Sequence, residues 1–166
     1  MQVRIVETEA YREDDPASHS FGGRTERSGP MFASAGHWYV YLCYGVHWLI
    51  NVSSGPEGTG EAVLIRAGEP LKGEGLMEAN RGRSGVQLTN GPGKLAEALQ
   101  VDGNVSGTPV AGGSFRLVPP REEPPEPIYE SPRVGIQRAT ERYWRFFLDN
   151  PYRSEATQNG RRRRRN

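Results

Sequence analysis

Cysteine is nearly absent: Cys43 stands alone among 166 residues. One thiol excludes an intramolecular disulfide framework and fits a reducing compartment. Lysine is almost as scarce. Of 21 basic residues only Lys72 and Lys94 are lysines, so amine nucleophiles are few. No apolar run reaches the roughly 18 residues of a membrane span. The opening MQVRIVETEAY lacks the basic-then-apolar pattern of a secretory signal. His19, His37 and His47 show no short ligand spacing, so neither a metal nor another cofactor is expected.

Charge of one sign is also missing, since the formal net charge is +1. That balance hides an asymmetry. The run Arg161–Arg165 supplies five basic side chains, and residues 1–160 carry 16 basic against 20 acidic. Bulk charge therefore does not announce a nucleic-acid binder. The run reads as a solvated tail over 159–166, or as a non-specific phosphate anchor. Leu, Ile, Val and Phe total 32 of 166 residues, a thin supply for a core. Disorder would also need a large net charge, so a thinly cored folded domain is expected. Glycine (21) and proline (13) are frequent enough to predict many turns and to disfavour a helical bundle.

What is there reads as one mixed α/β (α+β) domain over 1–158, with a largely antiparallel sheet. Val3 to Tyr11 alternates with period two and reads as a strand. Residues 12–36 are polar and glycine-rich, an ordered loop long enough to be functional. Strands near 37–43 and 47–53 form a hairpin turning at Tyr44-Gly45. AVLIRA at 62–67 is an apolar strand. Pro70 to Asn80 reads as a short helix with Leu71, Leu76 and Met77 inward. Pro92 to Gln100 reads as a helix, Ser114 to Val118 as a strand, and Trp144 to Leu148 as the last strand.

Several residues could carry chemistry. Alternation places Glu7 and Glu9 on one strand face with Val3, Ile5 and Tyr11. A positioned carboxylate can act as a general base. An exposed edge with two ordinary acids is the plainer reading. Trp38, Tyr39 and Trp48 read as core, whereas Tyr41 is open between core and site. Tyr44 at a hairpin tip is too exposed for core and has the form of a wedge that unstacks a base step. GPGKL at 91–95 puts Lys94 at a helix start, a generic phosphate site.

RIVETEAY at 4–11, His19-Ser20, GGRTER at 22–27, YVYLCYG at 39–45, INVSS at 50–54, VLIRAGEPL at 63–71, NGPGKL at 90–95 and RVG at 133–135 then stand in a telling order. Order and spacing resemble the alkyladenine (3-methyladenine) DNA glycosylases of the mammalian type, also found in bacteria. The resemblance covers about residues 3–150. It implies a compact domain with a curved sheet and a protruding hairpin, excising alkylated or deaminated purines. It implies a monomer acting on double-stranded DNA, in the bacterial cytoplasm and with no membrane.

By the same resemblance, Glu9 is the general base, with Arg66 and the backbone carbonyl of Val134 holding its water. Tyr11 and His19 sandwich the flipped base, Tyr41 closes the pocket edge-on, and Asn51 disfavours the guanine amino group. Leu64 lines the pocket. Tyr44 enters the minor groove, and Lys94 and Arg133 contact DNA. The sequence departs from the family pattern in three places. The usual leading helix and strand are not in it, Ser28 replaces a common Asn, and the arginine tail is foreign to the family. Two competing readings are a non-catalytic nucleic-acid-binding module on the same fold and a sugar hydrolase using both acids.

Overall fold

The computed structural model describes residues 1–120, 122–154 and 163–165. Among these, seven strands form one sheet: β1 (Gln2–Tyr11), β2 (Trp38–Cys43), β3 (His47–Ser53), β4 (Ala62–Lys72), β5 (Ile128–Ser131), β6 (Arg145–Leu148) and β7 (Arg163–Arg164). Their order is β2-β3-β4-β1-β6-β5-β7, and every pairing is antiparallel. Two helices, α1 (Glu74–Arg81) and α2 (Pro92–Leu99), follow β4. The α+β domain with an antiparallel sheet is thus the fold expected.

Alternation divides the sheet into two faces. Trp38, Val40, Ile50 and Ile65 pack against Leu95 and Ala96 of α2 and against Val101, forming the main core. Residues of opposite parity, Tyr39 and Ala62, pack instead against Met31 and Phe32 of the long loop. The loop at 12–36 therefore covers the face that the helices leave open, and a 3-10 turn at Gly29–Phe32 anchors it. The site lies on that second face.

Several details differ from expectation. β4 continues through Pro70 to Lys72, because β1 offers pairing partners as far as Gln2. The helix accordingly starts at Glu74 and not at residue 70, leaving Leu71 and Leu76 exposed and Met77 alone buried. Ser114 to Val118 is not a strand. It attaches through Phe115, which packs on Trp38, and through Leu117 N–H bonded to the Val110 carbonyl. β5 was hidden in turn-rich sequence, where four residues are too few to show a period. Of the arginine run, Arg163–Arg164 pair with β5, and Arg163 bonds Glu130. Arg161, Arg162 and the rest of 155–162 lie outside the described residues.

Candidate active site

Two register shifts build the site. β1 steps out of register between Ile5 and Glu7, and β4 steps out between Ala67 and Ile65, opposite Glu7 and Thr8. Each shift is a bulge that re-aims side chains. Val3 and Ile5 pack on the helix face. Beyond the bulge, Glu7 and Glu9 face the other way, toward Arg66. Plain alternation had put all four on one face; the bulge at Val6 is what separates acids from apolar side chains. Both acids are buried, Glu7 at 1% and Glu9 at 0% exposure, because β1 lies inside the sheet between β4 and β6. The exposed-edge reading is therefore overturned.

Glu9 sits in a row that crosses four strands. Tyr39 pairs with Asn51, Asn51 with Leu64, and Leu64 with Glu9. Its carboxylate accepts three hydrogen bonds. Val134 N–H donates to Oε1 at 2.7 Å, and Tyr11 O–H (3.0 Å) and Arg66 Nη1 (3.2 Å) donate to Oε2. Val134 thus stands beside Glu9 and reaches it through its amide. Burial, and then the neighbouring Glu9 charge, push the Tyr11 phenol well up, so Tyr11 stays a donor.

Glu7 is held differently. Its Oε1 accepts from Arg66 Nε (2.9 Å), Arg145 Nε (2.7 Å) and Ser154 Oγ (2.6 Å), and Oε2 accepts from Ser154 N–H. Burial alone would raise its pKa. The bond and charge of Arg145, the charge of Arg66 and the Ser154 bond outweigh burial and hold it below the ordinary carboxylate range. A carboxylate offers about four lone-pair sites. Glu9 takes three donors and keeps a lone pair on Oε1, which only the Val134 amide meets, whereas Glu7 takes four donors and is neutralised by two arginines. Arg66 ties the two acids together.

An aromatic cluster stands over Glu9. Tyr39 and Tyr41 stack at 5.2 Å, and His19 meets Tyr41 edge-on at 4.6 Å. His19 Nδ1 bonds the Tyr39 hydroxyl at 2.8 Å. Burial and the Arg27 charge lower the His19 pKa, which keeps its ring neutral at neutral pH. Tyr11 and Tyr41 both border the buried cluster of Met31, Phe32, Tyr39 and Ala62. Asn51 Nδ2 donates to the Tyr39 carbonyl (3.0 Å), which fixes its amide. Close backbone contact holds the His19 loop: Ser20 Oγ bonds the Gly60 carbonyl, and a Cβ on Gly60 would fall 2.4 Å from Ser20 Cβ.

The remaining expected residues divide. Tyr44 is 93% exposed at the tip of the β2–β3 hairpin. Tyr44 and Gly45 have φ of 50° and 72°, and Val46 N–H bonds the Cys43 carbonyl, the pattern of a primed hairpin turn. Glycine suits such a backbone, whereas tyrosine is strained there. Lys94 starts α2 on the helix face, its ammonium held by Gln87 and Asn90. Arg133 does not reach the surface. Its side chain is fully buried, bonded to Asp15 and the Ala10 carbonyl and stacked over Tyr11 at 4.6 Å. A DNA contact from that position is excluded by burial, and Arg133 instead clamps the end of β1 beside Val134. Among the described residues no group of three or more His, Cys, Asp or Glu could hold a metal. No described helix is long and apolar enough to cross a membrane.

The sequence matches the family model described as methylpurine-DNA glycosylase over residues 1–151. The chain belongs to the methylpurine-DNA glycosylase family. Three similar proteins are each named "Putative 3-methyladenine DNA glycosylase". One from Nitrosospira multiformis is 46% identical over 157 residues, covering 90% of this chain and 80% of that protein. One from Methanoculleus marisnigri is 47% identical over 149 residues, covering 87% and 78%. One from Chlorobium phaeovibrioides is 46% identical over 158 residues, covering 93% and 81%. Membership makes the chain a DNA glycosylase of base-excision repair, with DNA as its partner.

Within this glycosylase, sequence reasoning passed over Arg145, Ser154, Asp15 and Arg27. Arg145 and Ser154 meet Glu7 from 138 and 147 residues away, beyond the reach of any local pattern. Asp15 was one acid among several in a polar loop. Arg27 lay inside a quoted motif, GGRTER, and its guanidinium stands 4.9 Å over the Tyr41 ring.

Proposed function

We propose that this glycosylase hydrolyses the N-glycosidic bond of damaged purines of the 3-methyladenine class in duplex DNA, using a water activated by Glu9. The observation that carries the reading is Glu9 itself, a fully buried carboxylate with three fixed donors and one open lone pair beneath an aromatic cluster. The relatives' names point to the same substrate class.

The target bond is inaccessible in a stacked duplex, so the nucleotide must be extruded. Tyr44, held outward on a strained turn, fills the vacated space. The extruded purine enters between Tyr11 and His19 with Tyr41 at its edge, against Asn51 and Leu64. Purines alkylated at N3 or N7, such as 3-methyladenine, carry positive charge. Ring faces favour a cation by about 0.5–2 kcal/mol each, and a neutral His19 adds no repulsion. Water donates a proton to Glu9 as its oxygen bonds C1′. The C1′–N bond breaks, its electron pair leaves with the base, and an abasic sugar remains. Arg66 and the Val134 amide keep Glu9 aimed through the step.

Neither lysine nor the Met1 amine lies near Glu9 among the described residues, Met1 preceding Gln2 at the far end of β1. Lys94 is engaged on the helix face, and Lys72 pairs with Gln2, about 20 Å along β1 from Glu9. The reading is therefore a monofunctional glycosylase without lyase activity. It extends to a monomer acting in the bacterial cytoplasm, with residues 1–158 as the catalytic unit and the arginine run as a non-specific phosphate anchor.

The test is release of free base from duplexes carrying 3-methyladenine, 7-methylguanine, hypoxanthine or ethenoadenine. Release from at least one duplex is expected. Lesion binding with no release from any of them would overturn the reading in favour of a non-catalytic binding module.

A further inference from the structure

We propose that Arg27 is a charge filter at the mouth of the base pocket, holding back cationic purines relative to neutral ones. The inference rests on the glycosylase reading above and adds a specificity residue to it.

The placement of Arg27 is specific. Its loop is pinned by reciprocal bonds between Thr25 and Ser28: Thr25 N–H to Ser28 Oγ at 2.9 Å and Ser28 N–H to Thr25 Oγ1 at 3.1 Å. Ser28 is buried, so Arg27 next to it is held over the pocket although its own side chain is exposed. The guanidinium lies 4.9 Å above the Tyr41 ring. Nη2 points at the Leu42 carbonyl, 3.5 Å away, near the hairpin tip. Among the described residues no carboxylate forms an ion pair with Arg27, so its charge is uncompensated. That charge is felt at the pocket. Burial has the largest effect on His19, Tyr39 and Tyr41, and the Arg27 charge pulls the pKa of all three downward.

The consequence follows from sign. Tyr41 offers one quadrupole, and Arg27 already occupies a face of it. A cationic purine arriving at Tyr41 meets a like charge, whereas a neutral purine does not. Two unit charges across a pocket edge interact by an amount that lies between the solvent and interior limits. Removing one should change relative rates by about three- to tenfold.

The experiment is single-turnover base release from matched duplexes carrying 3-methyladenine, which is cationic, or hypoxanthine, which is neutral. Parent protein, R27Q and R27K are compared. The quantity read is the ratio of the two rates within each protein, which cancels any difference in folded fraction. R27Q should raise the cationic-to-neutral ratio by about three- to tenfold, and R27K should return it to within about twofold of the parent. A ratio unchanged in R27Q, with both rates intact or both reduced together, overturns the filter and makes Arg27 a solvated or phosphate-contacting side chain. A fallen ratio overturns it as well. Absence of release by the parent removes the glycosylase reading and this inference together, whereas release at a constant ratio removes only the inference.

Discussion

Replacing Glu9 by Gln tests the chemistry and the geometry at once. Both carboxylate oxygens face donors: Val134 N–H on one side, Tyr11 O–H and Arg66 on the other. A glutamine supplies one acceptor oxygen and one NH2. If the NH2 faces Val134, two donors meet; if it faces Arg66, it meets a cation. Either way a buried donor loses its partner, at a cost of about 1–3 kcal/mol. For a chain of this size each kcal/mol lowers Tm by about 2–4 °C, so a drop of about 2–12 °C is expected by scanning calorimetry. Loss of the general base removes a factor of about 10²–10⁴ from the rate. Single-turnover release, assayed well below the mutant Tm, should therefore fall at least about 100-fold. Binding to a lesion duplex should persist, since flipping and stacking do not use the carboxylate. A folded Glu9→Gln protein that releases base within about tenfold of the parent would refute the assignment.

Three further outcomes are expected. Tyr44→Ala should weaken binding to lesion DNA by about 1–3 kcal/mol in titration and barely change binding to undamaged duplex; equal losses would make Tyr44 merely structural. Glu7 is held below the ordinary carboxylate range, so its contribution to stability is complete at neutral pH and is lost as pH falls from about 4.5 through its lower folded pKa. Glu7→Gln should accordingly lower stability at pH 7 by about 3–5 kcal/mol and flatten the acid limb of the Tm–pH curve; an unchanged limb would show that Glu7 is not the titrating group. Borohydride treatment during turnover should trap no protein–DNA adduct, and a covalent adduct would reveal an amine nucleophile.

Much of the fold around this site is legible in the sequence. The hairpin and its exposed Tyr44 followed from a Tyr-Gly turn between alternating strands, a signal confined to a few residues. The main strands followed from period two. The acids did not yield so easily. Alternation assigned Glu7 and Glu9 to the face of Val3 and Ile5, because a bulge leaves no mark in composition. Nor could spacing separate the two carboxylates; what separates them is that Arg145 and Ser154 close on Glu7, whereas Tyr11 and the Val134 amide meet Glu9. Arg133 was misplaced for a related reason. An arginine beside a site reads as surface charge until its partners, Asp15 and the Tyr11 ring, are seen to bury it. Arg27 was in plain view, but its closeness to Tyr41 depends on how the loop folds back.

The two bulges have a genetic consequence. They lie on opposite strands and cancel: Arg4 faces Glu69 before them, and Thr8 faces Ile65 after them, in the same frame. Loss of Val6 and Arg66 together would thus leave the ladder intact, with Glu7, Glu9 and Tyr11 still on the site face. It would also remove the guanidinium that bonds both acids. A buried carboxylate stripped of such a partner costs several kcal/mol. The extra residue on β4 is therefore kept for its side chain, and the one on β1 for the frame that matches it. Paired deletions here should be rarer among viable variants than substitutions at Val6.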